Sequence, residues 1–170
     1  MGALMGCPWY RGKSVFVLEA EAYELELKDK LVDATLFATQ AHEGQLDKAG
    51  LPYIAHPLRV SQAMAPDLEA QIVGVLHDVM EDCGVRWETL YLRYGATVAN
   101  AVRDLSRYKT ESYRGFIGRV MLNPLARRVK IADIRDNLSR PVLPGDEEWK
   151  RSMASKRYLP ALRVLEQEEE

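Results

Sequence analysis

The chain has 170 residues, of which 47% are hydrophobic and 28% are charged, and its formal net charge is −2. This length and apolar content suit one domain with its own core, and they exclude a disordered protein. The near-neutral charge excludes a general nucleic-acid coat protein, and no apolar run reaches the ~18 residues of a membrane span. We therefore expect neither a nucleic-acid nor a membrane partner, while the oligomeric state stays open.

The two cysteines, Cys7 and Cys83, are far apart, and neither belongs to a Cys-x-x-Cys pair. This spacing argues against a structural zinc site, and it favours a reducing, cytoplasmic location. We expect a loosely ordered arm over residues 1–20, a single domain over 21–165 and an acidic tail over 166–170. The tail contains four glutamates.

Apolar residues recur at helical spacing almost throughout, and no segment shows the alternation of a strand. The spacing predicts helices over residues 21–43, 57–64, 67–84, 87–94, 96–105, 112–121, 123–138 and 147 onward. Asp67 and Asn123 suit N-caps, Gly84 suits a helix end, and Pro160 predicts a bend in the last helix. The predicted fold class is all-α, with the helix over 67–84 at its centre because apolar residues cover most of its circumference.

His77 and Asp78 interrupt this otherwise apolar helix, between Leu76 and Val79. Ionisable groups in such surroundings are costly unless a metal or another partner neutralises them. In a continuous helix, Glu81 and Asp82 would lie one turn further along on the same faces. The sequence therefore predicts a metal site here.

Further ligands must come from other segments. His56 lies between Pro52 and Pro57, which stiffen its loop, and Asp133 lies between apolar residues on a later helix. Two imidazoles and two carboxylates suit Mn²⁺, Fe²⁺ or Zn²⁺ and leave positions free for water and substrate. His42, the third histidine, is interpreted as structural.

The order His56, His77-Asp78, Asp133 resembles the ligand order of the HD metal-dependent phosphohydrolases. Four blocks more narrowly resemble the hydrolase domain of RelA/SpoT proteins and the free-standing small alarmone hydrolases. These blocks are His-Glu-Gly-Gln at 42–45, Lys-Ala-Gly-Leu-Pro-Tyr-Ile-Ala-His-Pro at 48–57, Leu-His-Asp-Val-Met-Glu-Asp at 76–82 and Val-Lys-Ile-Ala-Asp at 129–133 with Asn137. The resemblance covers about residues 31–140.

The resemblance implies an HD-domain helical bundle and Mn²⁺-dependent removal of the 3′-pyrophosphate from (p)ppGpp, which releases GDP or GTP. It implies metal ligation by His56, His77, Asp78 and Asp133, and activation of the attacking water by Glu81 and Asp82. The expected substrate contacts are Lys48, Tyr53, Lys130, Asn137 and Tyr113.

One position departs from the family pattern: Asp47 precedes Lys48 where the family usually has arginine. A carboxylate cannot stack on a base as a guanidinium does. We therefore expect Asp47 to face the base and to weaken the selectivity for guanine.

Two alternatives remain open at this stage. The chain could hydrolyse another nucleotide, such as (p)ppApp or a nucleoside monophosphate. It could instead be a nucleotide-sensing module that binds without cleaving, although the Glu81-Asp82 pair favours an enzyme.

Overall fold

The predicted apolar stripes form a helical bundle in a computed structural model, which describes residues 15–167. The helices are α1 (Val15–Ala41), α2 (Ala55–Gln62), α3 (Leu68–Leu76), α4 (Val79–Cys83), α5 (Trp87–Tyr94), α6 (Ala96–Leu105), α7 (Tyr113–Met121), α8 (Pro124–Ser139), α9 (Glu147–Met153) and α10 (Leu159–Leu165). No β-strand occurs within 15–167, where the one β-bridge joins Leu46 and Pro52. The all-α class is confirmed.

The predicted caps begin and end the helices that carry the site. The Asp67 carboxylate accepts a hydrogen bond from the Ala70 N–H, and the Asn123 side chain accepts from the N–H groups of Leu125 and Ala126. Gly84 ends α4 in the left-handed conformation with φ of 67°. These contacts satisfy backbone groups that a helix terminus leaves unpaired, and so they fix where α3 and α8 begin.

Helix α3 is central, as predicted, since it lies against α1, α2, α6 and α8 and is buried over most of its length. The predicted continuous helix over 67–84 is wrong, however, because α3 ends at Leu76 and α4 begins at Val79. The His77 ring nitrogen Nδ1 lies 2.8 Å from the Gly74 carbonyl oxygen, and Asp78 has φ of −101° and ψ of −6°. A side chain that forms a hydrogen bond to the preceding turn competes with the backbone hydrogen bonds of the helix there.

The first helix begins earlier than predicted. The expected arm reaches residue 20, whereas α1 begins at Val15. The rest of the arm, with Cys7, lies outside the described residues. Residues 168–170 of the tail also lie outside them. Glu166 of the tail pairs with Arg135 at 2.8 Å. None of the described helices has the length and apolar character to span a membrane.

The C-terminal segment leaves the α-helical pattern just before Pro160. A π-helical turn, Ala154–Tyr158, joins α9 to α10, and the Leu159 N–H donates to the carbonyl of Ala154, five residues back. Pro160 has no N–H, and its ring excludes a tight turn against the carbonyl four residues earlier. The helix therefore widens in the turn before the proline.

We expect Gly74→Ala to destabilise the protein by about 1–3 kcal/mol, the usual cost of overpacking a core. An added Cβ at Gly74 would lie 2.8 Å from the Ser61 Cα, so that α2 and α3 would have to separate. The control is Gly118→Ala on α7, where nothing lies within 4 Å of the added atom. That change should stabilise the helix by about 0.5–1 kcal/mol. Urea unfolding measures both, and equal stabilities would contradict the close approach of α2 to α3.

Candidate metal centre and adjoining cavity

The four predicted ligands converge from three segments: His56 from α2, His77 and Asp78 from the α3–α4 break, and Asp133 from α8. The Asp133 Oδ1 lies 3.1 Å from the His56 Nε2 and 3.7 Å from the His77 Nε2. The Asp78 Oδ2 lies 2.7 Å from the His77 Nε2 and 3.7 Å from the His56 Nε2. The break between α3 and α4 therefore brings Asp78 to the same point as the two imidazoles.

Burial makes this cluster costly without a cation. His56 and His77 are each 2% exposed and Asp133 is 4% exposed. The His77 Nε2 is buried and has no hydrogen-bond partner, although a carboxylate oxygen of Asp78 lies close to it. Buried polar atoms are normally satisfied, and a nitrogen lone pair that faces carboxylate oxygens suits a shared divalent cation. Ligand atoms of His56, His77 and Asp133 all lie within 4.8 Å of one another, a spacing that suits one ion.

Outer hydrogen bonds orient both imidazoles. The His56 Nδ1 lies 2.7 Å from the Asp136 Oδ2, and the His77 Nδ1 lies 2.8 Å from the Gly74 carbonyl. Each Nδ1 that donates its proton leaves the Nε2 lone pair pointing into the cluster, the arrangement found around metal-bound histidines. The residues therefore fit a divalent metal ion.

The two ligand carboxylates have partners of their own. The Tyr53 hydroxyl donates to the Asp78 Oδ2 at 2.6 Å. The Asn137 amide donates to the Asp133 Oδ1 at 2.5 Å, and the Lys130 ammonium donates to its Oδ2 at 2.7 Å. Three of the predicted substrate contacts thus hold the predicted ligand carboxylates in place.

The electrostatics of the cluster keep the carboxylates ionised. Burial alone would raise the pKa of Asp133, but the Lys130 ammonium and the two imidazoles outweigh it and hold that pKa well below its ordinary value. Burial lowers the pKa of His77, and the carboxylates of Asp78 and Asp133 raise it to about 9. The negative charge that raises this pKa would equally attract a divalent cation to the cluster.

The acidic pair of α4 lies beside the cluster. Both Glu81 and Asp82 are exposed, and the Glu81 Oε2 accepts a hydrogen bond from the Arg107 N–H at 2.9 Å. The carboxyl end of Asp82 is nevertheless partly desolvated, which raises its pKa, and the neighbouring Asp78 raises the pKa further. The backbone of the α6–α7 loop thus fixes one of the two carboxylates.

These groups surround a cavity of about 230 Å³, called here the catalytic cavity. Its lining contains Tyr53, His56, Asp78, Glu81, Asp82, Arg107, Tyr113, Phe116, Lys130, Asp133, Asn137, Met153, Arg157 and Tyr158. Three cations, Arg107, Lys130 and Arg157, line the same cavity as these carboxylates. A cavity that combines a candidate metal site with several cations suits a phosphorylated ligand.

Sequence reasoning missed two cations and one carboxylate. Arg107 and Arg157 reach the cavity from the end of α6 and from the π-helical turn, and no spacing in the sequence connects them to the ligands. Asp136 could have been found, because it follows Asp133 by three residues and so lies one helical turn away.

Four of the five predicted substrate residues, Tyr53, Lys130, Asn137 and Tyr113, line the catalytic cavity, but Lys48 does not. The Lys48 Nζ lies 5.1 Å from the centre of the Trp149 ring, at a separate cavity of about 40 Å³. This small cavity lies between the 47–48 loop and the segment after α8.

The sequence suggested that Asp47 faces the base of the substrate. In the structure, its carboxylate is not free to do so. Its Oδ1 accepts hydrogen bonds from the N–H groups of Ala49 and Leu51 at 2.8 and 2.9 Å, and its Oδ2 lies 4.0 Å from Arg140. The side chain is 9% exposed. The carboxylate therefore holds its own loop together.

His42 lies outside the cluster. Its Nδ1 is 2.8 Å from the Gln45 Oε1 and 3.3 Å from the Cys83 sulfur, and its ring contacts the Tyr53 ring with centres 5.0 Å apart. Burial raises the pKa of the Cys83 thiol. This environment agrees with a structural role for His42.

We expect Asp136→Asn to weaken metal binding by roughly 10–100-fold, since outer partners of metal-bound histidines contribute that much. Burial would raise the pKa of Asp136, but hydrogen bonds from His56 and Arg59 hold it well below its ordinary value, so a full negative charge is lost. The control is Arg59→Gln, which removes the 2.6 Å pair with Asp136 and leaves the contact with His56. Metal titration measures the affinity of both variants. Equal losses of affinity would assign the effect to the ion pair between Arg59 and Asp136.

The comparison with family models supports the protein family that the sequence resembles. The model described as HD domain matches residues 34–114, a range that contains His56, His77, Asp78, Glu81 and Asp82. Residues 34–114 of this chain are therefore similar to an HD domain. Asp133 lies beyond the matched range, so its place in the cluster rests on the geometry above.

Curated relatives are similar to part of this chain. The guanosine-3′,5′-bis(diphosphate) 3′-pyrophosphohydrolase of Vibrio cholerae is 32% identical over 124 residues, which are 65% of this chain and 18% of that protein. The protein of the same name from Aquifex aeolicus is 34% identical over 126 residues, 68% of this chain and 18% of that protein. The matched region is thus a small part of each relative.

A solved structure has the same fold. It belongs to a metazoan ortholog of SpoT that is described as hydrolysing ppGpp. The TM-score is 0.64 at 24% identity, and the match covers 79% of this chain and 85% of that one. The HD-domain bundle predicted from the sequence is therefore confirmed as a fold.

Proposed function

We propose that this chain is a Mn²⁺-dependent phosphohydrolase that removes the 3′-pyrophosphate from (p)ppGpp and releases GDP or GTP. The observation that carries the proposal is the cluster of buried His56, His77 and Asp133 with the partly buried Asp78. The cluster has an unsatisfied imidazole nitrogen and lies beside Glu81 and Asp82. The names of the relatives support this substrate, and mixed nitrogen and oxygen ligation supports Mn²⁺ or Fe²⁺ as well as Zn²⁺. A nucleotide substrate of this kind agrees with the cytoplasmic location that the cysteine pattern favours.

A divalent cation bound there would supply electrostatic stabilisation to the phosphoryl oxygens and make an attacking water more acidic. Glu81, which the Arg107 N–H holds in place, is positioned to accept a proton from that water, with Asp82 beside it. Arg107, Lys130 and Arg157 stabilise negative charge on the substrate and on the departing pyrophosphate. Each of these roles uses a side chain that lines the catalytic cavity.

The test is incubation of the purified protein with ppGpp and Mn²⁺, followed by separation of the products. We expect GDP and pyrophosphate in equal amounts, and no inorganic phosphate. A panel with ppApp and nucleoside monophosphates distinguishes the competing substrates, because a monophosphatase releases phosphate instead. Tight binding of ppGpp without any product would favour the nucleotide-sensing alternative.

A further inference from the structure

The first half of helix α1 has an apolar stripe that the bundle does not cover. The stripe consists of Val15, Leu18, Ala22 and Leu25, at successive spacings of three, four and three residues. Val15 is 67% exposed and Leu25 is 61% exposed, although an apolar stripe with helical spacing normally faces a core. The side of α1 that packs on the bundle lies further along, at Ala34 and Ala38. Helix α1 therefore has a second apolar face, which its own bundle leaves exposed.

The same half of α1 is acidic. Residues 15–27 contain no lysine or arginine, and their four acidic residues are Glu19, Glu21, Glu24 and Glu26. Two of these pair at the surface with lysines of the next turn, Glu24 with Lys28 and Glu26 with Lys30, each at 2.7 Å. Such surface pairs contribute little to stability, so a basic surface can compete for these carboxylates. This half of α1 is thus an acidic amphipathic helix.

A groove between α7 and α10 has the opposite charge. This α7–α10 groove has a volume of about 600 Å³ and is lined by Tyr113, Arg114, Ile117, Gly118, Lys156, Arg157, Pro160, Ala161 and Val164. No carboxylate occurs among the described residues that line it. Within residues 15–167, no ion pair joins Arg114, Lys156 or Arg157 to a carboxylate. The positive charge of the groove is therefore uncompensated.

The shape of the groove suits a helix. Its walls are two helices with apolar side chains between them, and nothing lies within 4 Å of a Cβ added at Gly118, so the surface there is open. From Lys156 to Val164 the groove extends over eight residues, about 12 Å at the helical rise, and the α1 stripe from Val15 to Leu25 extends over about 15 Å. An amphipathic helix binds such a groove with apolar residues at three- and four-residue spacing. The charges and lengths of the two surfaces thus match.

A second copy is the partner that the chain itself supplies, because one chain carries both the acidic helix and the basic groove. The two surfaces do not cover each other within a chain, since α1 packs on α3 and α4 whereas α7 and α10 pack on α8. We propose that the first half of α1 from each copy binds in the α7–α10 groove of the other copy, which forms a two-fold dimer. The two contacts share the area of more than about 1,000 Å² that a specific interface usually buries. This association does not depend on the proposed reaction.

The test uses two variants, each of which reverses the charge of one surface. Glu19→Lys/Glu26→Lys makes the α1 face basic, and Arg114→Glu/Lys156→Glu makes the groove acidic. All four residues are exposed, and none of them lines the catalytic cavity, so the fold and the reacting groups stay intact. Sedimentation equilibrium over a series of concentrations distinguishes one chain of 19.3 kDa from a dimer of twice that mass. We expect the dissociation constant of the dimer to rise by about tenfold or more in each variant, because like charges then face each other.

An equimolar mixture of the two variants should dimerise again. In the mixed dimer, the new lysines on one α1 face the new glutamates of the other groove, and the second contact is wild type on both sides. The control is Glu88→Lys/Glu148→Lys, which changes the net charge by the same amount as the α1 variant, at exposed positions outside both surfaces. It should dimerise as the wild type does.

The proposal would be overturned by a wild-type protein that keeps the mass of one chain at every concentration. It would also be overturned if the two charge-reversal variants dimerised as tightly as the wild type, since the contact would then lie elsewhere. Two dissociated variants that stay apart on mixing would exclude the pairing of α1 with the groove. Equal dissociation of the Glu88→Lys/Glu148→Lys control would assign the effect to net charge and would count against the proposal as well.

Discussion

Replacing His77 by alanine should leave the protein without bound metal and without measurable turnover. The His77 Nε2 lies within 3.7 Å of carboxylate oxygens from both Asp78 and Asp133, so its loss removes a donor from the centre of the cluster. The effect should exceed the roughly 10–100-fold loss of affinity that follows removal of an outer partner. Elemental analysis after dialysis against Mn²⁺ measures the occupancy, and ppGpp hydrolysis measures turnover.

Two further variants separate ligand loss from misfolding. Asp133→Asn keeps the shape of the side chain, so metal loss in that variant cannot arise from a cavity. His42→Ala makes the same substitution at a histidine that is equally buried but lies outside the cluster, and it should keep its metal. Full occupancy in both His77→Ala and Asp133→Asn would show that the cluster does not hold the metal.

The sequence predicts His77, Asp78 and Asp133 as ligands because each is chemically expensive where it stands. Histidine and aspartate between buried apolar residues need a partner, and that requirement can be recognised without coordinates. The break between α3 and α4 could not be predicted in this way. The apolar pattern over residues 72–80 continues across it, and the competing bond from the His77 ring to the Gly74 carbonyl depends on a side-chain conformation.

The residues expected to contact the substrate show the same limit of prediction from sequence. Tyr53, Lys130 and Asn137 were expected to contact substrate, yet their polar atoms bond Asp78 and Asp133. Residue type and position along the chain bring such groups near the centre, but only the crossing of α2, α3 and α8 decides which partner each one reaches. Arg157 depends on the π-helical turn, whose place before Pro160 follows from a backbone clash rather than from any pattern of side chains.

Replacing Glu81 by glutamine should lower the turnover of ppGpp on the order of 10²- to 10⁴-fold, the range for loss of a general acid–base group, and should leave the metal bound. Glutamine keeps the size of the side chain, and its carbonyl oxygen can still accept the hydrogen bond that the Arg107 N–H makes to the Glu81 Oε2 at 2.9 Å. The position of the side chain is therefore preserved, while its ability to accept a proton from water is lost. Single-turnover hydrolysis with saturating Mn²⁺ measures the chemical step, and metal titration of the same variant measures occupancy. Asp82→Asn is the matched comparison at the neighbouring carboxyl group, and the variant with the larger loss identifies the principal base. Loss of the metal in Glu81→Gln would instead make Glu81 a ligand, and unchanged turnover in both variants would exclude proton transfer by this pair.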